Sequence, residues 1–361
     1  MRRFGLLTVL AAFASCRPNV PSPSAPPPPP PSAAVPLPKI NHEGRALPPL
    51  PRIDRPILFD TPEADAVVSA LQIFPKDNPW NEDISDRPLH PDSEKIVAAV
   101  GADKRFRFNL DMGFILIPPR QPPVPVEITS YPAESDPGPH PIPDEAPIEG
   151  WPLWPGYAGK TLEQVQREGD GDRHVLVVDP VRNRLYELFH AFRTDGGWRA
   201  AGAAVFDMAS NRLRPRDWTS ADAAGLPIFP AVVRYDECAR GMVEHALRVT
   251  IRRTRKAYVY PATHQAGHGN DPFWPRMGER FRLRRDFDIR PYPPHVQAIL
   301  KGLKKYGMIV ADNGIEWAVS IAPDRRIQGL ESLHERPLRG RDFEVIIPTG
   351  PAEGPRAASQ R

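Results

Sequence analysis

The stretch RYDECARGMVEHALRVT, Arg234 to Thr250, decides how this chain is read. It crowds carboxylates, arginines, a histidine and a cysteine into a run whose second half alternates like a strand. In MVEHALRVTI (242–251), Val243, His245, Leu247, Val249 and Ile251 fall on one face, and Glu244, Ala246, Arg248 and Thr250 on the other. His245 therefore belongs with the apolar side, as a hydrogen-bonded core histidine. The following segment, KAYVYPATH (256–264), places Tyr258, Tyr260, Ala262 and His264 on one face. If RRTRK (252–256) is a hairpin turn, position 250 opposes 258, Arg248 opposes Tyr260, and Glu244 opposes His264. Cross-strand neighbours have Cβ atoms about 4.5–5.5 Å apart. One face then gathers Glu244, His264, Arg248, Tyr260 and Tyr258.

Two chemistries suit that face. A lyase acting on uronate sugars needs a base, for which His264 or Tyr260 serves, and a cation such as Arg248 to neutralise the substrate carboxylate. A glycoside hydrolase needs two carboxylates, with Glu237 and Glu244 as candidates. Asp236 and Glu237 are the alternative pair, but adjacent residues on a strand point to opposite faces, so they cannot both serve unless the chain turns there. A glycan-binding groove, or simply a wet sheet face with a Glu–His pair and an Arg–Tyr contact, accounts for the same residues without catalysis. WTSADAAGLPIFP (218–230) leads into this region. Trp218 could stack on a sugar there, with Asp222 and Tyr258 as further substrate contacts, or it could pack as a lid over the sheet edge.

Further strands are read at HVLVVD (174–179), RLYELF (184–189), RAAGAAVFDM (199–208), AVVRYDE (231–237) and MIVADN (308–313). In PPHVQAILKGLKKYG, Val296, Ile299, Leu300 and Leu303 recur at helical spacing, with proline before and Gly307 after as start and stop. The expectation is a mainly β protein, an antiparallel sandwich or jelly roll with one late amphipathic helix. The globular body is placed at 63–347, with a proline-rich loop or lobe boundary at 118–155 and a disordered tail at 348–361.

The first sixteen residues, MRRFGLLTVLAAFASC, read as an export signal: two arginines, an apolar run, then small residues. The run spans about 11 residues, below the roughly 20 that a membrane-crossing helix needs. Residues 17–62 are dense in proline, including Pro26–Pro31, and read as an extended tether. Phe13-Ala14-Ser15-Cys16 resembles the lipobox of bacterial lipoproteins, although those usually carry leucine where Phe13 stands. The resemblance implies that Cys16 becomes the mature N-terminus and carries the lipid, durably if several acyl chains are attached. The protein is then exported and held in the cell envelope, at the outer membrane. Cys238 is left as the other cysteine, a buried structural thiol.

Lys and Arg total 47 against 44 Asp and Glu, a net charge of +3, and for an exported lipoprotein nucleic acid is not the expected partner. Positive charge is concentrated locally in RRTRK and in RMGERFRLRRDFDIR (276–290), which suits an acidic polysaccharide or a lipid head group. HQAGHGND (264–271) and DGDRH (Asp170, Asp172, His174) are too loose to imply a metal, and no cofactor is expected.

Across about 170–345 the chain is also similar to exported bacterial proteins that share a Gly-x-(Ile/Val)-x-His-Ala-Leu strand, a tyrosine-containing strand and a late helix leading to Asp-Asn-Gly. The matching positions are Gly241, Val243, His245, Ala246 and Leu247, then Asp312, Asn313 and Gly314. The resemblance implies a β-rich fold and export, and carries over no catalytic residue.

Overall fold

The computed structural model describes residues 39–354. Strand β1 (Ile57–Leu58) leads into helix α1 (Pro62–Ser69), where Pro62 takes the first helical position and Thr61 Oγ1 accepts from the Ala64 amide. Helix α2 (Ser93–Val100) precedes β2 (Arg107–Leu110), β3 (Phe114–Leu116) and β4 (Val126–Ile128). Helix α3 (Leu162–Arg167) starts in a reciprocal Thr161–Gln164 capping box. There follow β5 (Val175–Asp179), β6 (Arg184–Phe189), β7 (Phe192–Thr194), β8 (Gly197–Ala200) and β9 (Gly202–Asp207). Helix α4 (Tyr235–Arg240), β10 (Leu247–Thr250), β11 (Arg280–Leu283), α5 (Pro294–Lys305), β12 (Met308–Asp312), β13 (Ala318–Ile321), α6 (Ser332–Glu335) and β14 (Phe343–Val345) complete the order.

The protein is mainly β, with three mixed sheets ordered β1-β3-β5-β6-β9, β14-β11-β12-β10-β13-β2 and β4-β8-β7. Four pairings are parallel (β3–β5, β10–β12, β13–β2 and β4–β8), so the sheets are not the all-antiparallel ones expected. The cause is plain for β10 and β12: the connection between them contains β11 and α5, and a long crossover brings the chain back in the same direction. Helix α5 forms as read, with Val296, Ile299, Leu300 and Leu303 buried, and Gly307 at φ +68° turns the chain into β12. Five further α-helices stand beside it among the described residues.

Sheet β1-β3-β5-β6-β9 is buried on both faces. In β5, Leu176 and Val178 join one core while Val175 and Val177 join a second, which is why the strand reads as an unbroken apolar run. The proline-rich segment 118–155 is packed: Ile142, Ala146 and Ile148 belong to that second core. Residues 39–62, expected in the tether, are packed too, with Leu47, Ile53 and Ile57 buried. At the other end Glu353, exposed, lies 3.4 Å from Arg87. Cys16, the export signal, Pro26–Pro31 and residues 355–361 lie outside the described residues.

Candidate functional site

The hairpin expected around RRTRK does not form. β10 pairs with β12 on one side and β13 on the other, and of 256–264 only Tyr258 makes a bridge, to Met277. YDECAR is helix α4, not a strand: the Asp236–Arg240 and Arg234–Glu237 ion pairs span one turn, and Gly241 ends it at φ +90°.

The opening stretch therefore divides between two places. Glu237, Glu244 and His245 stay together. Glu237 Oε2 lies 2.9 Å from Arg234 Nη2 and 3.0 Å from His245 Nε2. Glu244 accepts from Asn41 Nδ2 at 2.8 Å and pairs with Arg45 at 3.1 Å. Burial pushes the Glu237 carboxyl up, but Arg234, His245 and Arg240 outweigh it and hold it at about 2. The open space among these groups is about 30 Å³, room for no more than a few waters. This is a polar network tying α4 to the N-terminal segment, in which His42 Nε2, Arg234 Nε and Asp236 Oδ1 are left without a hydrogen-bond partner among the described residues. The Cys238 thiol beside it is buried, and burial pushes its pKa up.

Arg248 goes elsewhere. Its Nε donates to Asp222 Oδ2 at 2.8 Å and its Nη1 to Ser320 Oγ at 2.7 Å, and Ser320 donates to Asp111 Oδ2 at 3.1 Å. Strand register explains the meeting: Val249 faces Val319, so Arg248 and Ser320 oppose each other across β10 and β13. Between β10 and β12 the register slips by one, so that Thr250 faces Asp312 and not Ala311. The slip brings Asp312 to the face of Arg248, with Oδ2 at 3.9 Å from Nη2.

From the other large sheet come His174 and Glu187. His174 Nδ1 lies 2.8 Å from Glu149 Oε2, and its Nε2 donates to the Ala221 carbonyl at 2.9 Å. Glu187, the one acid inside RLYELF, accepts from the Ile228 and Phe229 amides at 2.9 Å. Two cations, Arg248 and His174, thus share the interior with five acids: Asp111, Glu149, Glu187, Asp222 and Asp312. Burial lowers His174, but Glu149 overcomes it and raises the imidazole to about 10. Burial raises Glu149, yet His174 brings it below its ordinary value. With Glu149 on His174 and Asp222 on Arg248, three acids remain without a full counterion. Burial first, and Glu149 next, lift Asp111 to about 8. Burial lifts Glu187 to about 8 against its two amide donors. Burial, with Asp222 adding to it, lifts Asp312 to about 8 against Arg248 and His174. Such a neighbourhood is where acid–base chemistry is placed.

Asp312 alone of these acids reaches open space. Its side chain is 20% exposed and lines a pocket of about 180 Å³ with Tyr131, Glu134, Phe189, Ser220 and His264. His264 Nδ1 donates to the Ala223 carbonyl at 2.7 Å, leaving Nε2 as the nitrogen without a proton in the neutral ring. Tyr131 and Phe189 lie 6.5 Å apart, centroid to centroid. No family model, no curated protein and no solved structure matches the chain.

Of the residues singled out in the sequence, Asp222, Arg248 and His264 come together around Asp312. Tyr258 donates to Asp217 at 2.9 Å on the surface, and Tyr260 is outside the pocket lining. Trp218 lines a neighbouring pocket of about 360 Å³, where Arg214 lies 5.5 Å over its ring. Asp111, Glu149 and Glu187 were missed; the signal for Glu187 was a lone acid within a strand buried on both faces. Among the described residues no group of His, Cys, Asp and Glu is arranged to hold a metal ion.

Proposed function

We propose that this is an exported, lipid-anchored protein of the cell envelope that engages carbohydrate and cleaves it, with Asp312 as general acid. One observation carries the reading: a carboxyl raised to about 8, hence protonated at neutral pH, stands at the wall of a pocket. A protonated carboxylic acid beside a sugar can donate to the departing glycosidic oxygen. Glu134 also lines the pocket, and it is our candidate for the second carboxylate that hydrolysis needs. The ring faces of Tyr131 and Phe189 suit the apolar face of a sugar, and the pocket has the size for one small unit of a chain.

His264 supports a second reading. With Nδ1 committed to Ala223, its Nε2 is suited to take a proton, as a lyase base would, while Asp312 protonates the leaving oxygen. A panel of acidic and neutral glycans, assayed for new reducing ends and for unsaturated uronate ends, separates the two. Asp312→Asn is expected to remove whichever activity appears. Retention of glycan without either product would instead mark a non-catalytic binding protein.

The lipid anchor rests on FASC. Cys16→Ser should release the protein from membranes, and continued attachment of that variant would refute the anchor.

A further inference from the structure

A second concave surface lies at the end of sheet β14-β11-β12-β10-β13-β2 where β10 and β12 finish and β13 and β2 begin. It holds about 610 Å³ and is lined by Lys104, Arg105, Arg107, Arg252 and Arg253, with Glu316 as its one carboxylate. Glu316 lies 2.7 Å from Lys104 and 3.2 Å from Arg252. Arg105, Arg107 and Arg253 have no carboxylate within ion-pair distance among the described residues. All five cations are exposed.

The loop that carries two of these arginines is pinned in place. Asn313 Nδ2 donates to the Ile251 carbonyl at 3.1 Å and to Thr254 Oγ1 at 3.0 Å, and Thr254 is fully buried. Thr250 Oγ1 donates to the Ile315 carbonyl at 2.6 Å. The arginines of 252–253 therefore project from a fixed turn. Like charges gathered into a concave wall repel one another and focus a positive potential, which an anion relieves. Ile315, 46% exposed, adds an apolar contact within the same lining.

We infer that this groove binds an acidic polysaccharide, a chain of uronate sugars lying along the arginines. The concavity favours a chain over a membrane: a concave surface of about 610 Å³ accepts a strand, whereas a lipid surface needs a flat or convex basic face. The regular carboxylates of a polyuronate match separated guanidinium groups, each able to take a carboxylate with paired hydrogen bonds, and Ile315 offers contact to a sugar face. The inference stands whether or not the pocket at Asp312 is catalytic.

The test is equilibrium binding of oligogalacturonate to the full chain, beside a neutral galactose oligomer of the same length and vesicles containing phosphatidylglycerol. Acidic oligomer binding that weakens steeply with salt, with little or no binding of the neutral one, is expected. Arg107→Glu with Arg253→Glu should weaken it at least tenfold, and Arg107→Gln with Arg253→Gln less. Both pairs are exposed, and an unchanged melting temperature reports that the fold is kept. The charge-reversed protein should keep any cleavage of neutral glycan at the Asp312 pocket, whose lining contains neither arginine, so loss of cleavage and loss of groove binding are read separately. Equal affinity for the neutral oligomer, or unchanged affinity in the charge-reversed protein, overturns the inference. So does vesicle binding that depends on the same arginines without binding of the oligomer.

Discussion

Arg248 and Asp222 hold each other inside the protein: the arginine Nε donates to Oδ2 at 2.8 Å, and both side chains are buried. Breaking such a pair from one side leaves a charge stranded away from water, at a cost of about 3–5 kcal/mol. Arg248→Met and Asp222→Leu should each lower unfolding stability by that order. The double variant should cost clearly less than the sum, in urea unfolding at neutral pH. Strict additivity would mean that the pair is not the unit of stability here.

Replacing Asp312 with Asn keeps the shape of the group and removes its transferable proton. Glycan cleavage should fall about 10²–10⁴-fold, the usual range for a general acid. The parent's rate should decline on the alkaline side near pH 8, where Asp312 loses its proton. A rate that persists in Asp312→Asn, or an alkaline limb unchanged by it, would move the acid to another residue.

Stability should fall as pH rises from about 6 to 10. Folding raises His174 from 6.5 to about 10, so its contribution is complete below 6.5 and is lost as pH climbs through 10. Asp111, Glu187 and Asp312 are raised to about 8; the folded state holds their protons more tightly than the unfolded chain, so stability also drops as pH rises from about 4 toward 8. Glu237 acts oppositely, held at about 2, and its contribution disappears as pH falls from about 4.5 through that value. Melting temperature followed across this range should peak in mildly acidic buffer. A flat profile above pH 6 would contradict the charge balance described for the cluster.

Glu237→Gln should destabilise by about 3–5 kcal/mol, because Arg234 loses a buried counterion. Glu244→Gln keeps an acceptor for Asn41 and should cost about 1 kcal/mol. Neither should change glycan cleavage in protein that remains folded. A selective loss of rate in Glu244→Gln would return the catalytic role to the opening stretch.

Gly307→Ala should destabilise by about 1–3 kcal/mol from its positive φ alone. The added Cβ would also stand 2.2 Å from the Phe281 carbonyl oxygen. Denaturant titration should show a lower midpoint with an unchanged slope.

Local signals in the sequence were read well where they were self-sufficient. The helix at 294–305 and the strands at 175–179, 184–189 and 308–312 each declare themselves by their own spacing. Pairing was misread because β10 and the segment after it are neighbours in sequence, whereas its actual partners arrive from beyond residue 300. For α4 the helix signals were present: acids in the first turn, Arg240 in the last, and Gly241 after it. Their alternation with apolar neighbours hid them. The site was half legible. Arg248 and His264 stand out on the polar face of the expected hairpin and Asp222 in the loop that feeds it, but Asp111 and Glu149 sit in loops whose burial only the tertiary packing creates.

The separations within the polar cluster have a kinetic consequence. Arg248 and Ser320 are 72 positions apart, and Ser320 and Asp111 are 209 apart. Long loops must close before these groups meet, and non-local contacts of this kind slow folding. The acids and cations therefore cannot neutralise one another until most of the chain is in place. A chain shortened at either β2 or β13 would keep many of its local elements yet never assemble the pocket. The chemistry proposed at Asp312 is consequently tied to the completed fold and to no fragment of it.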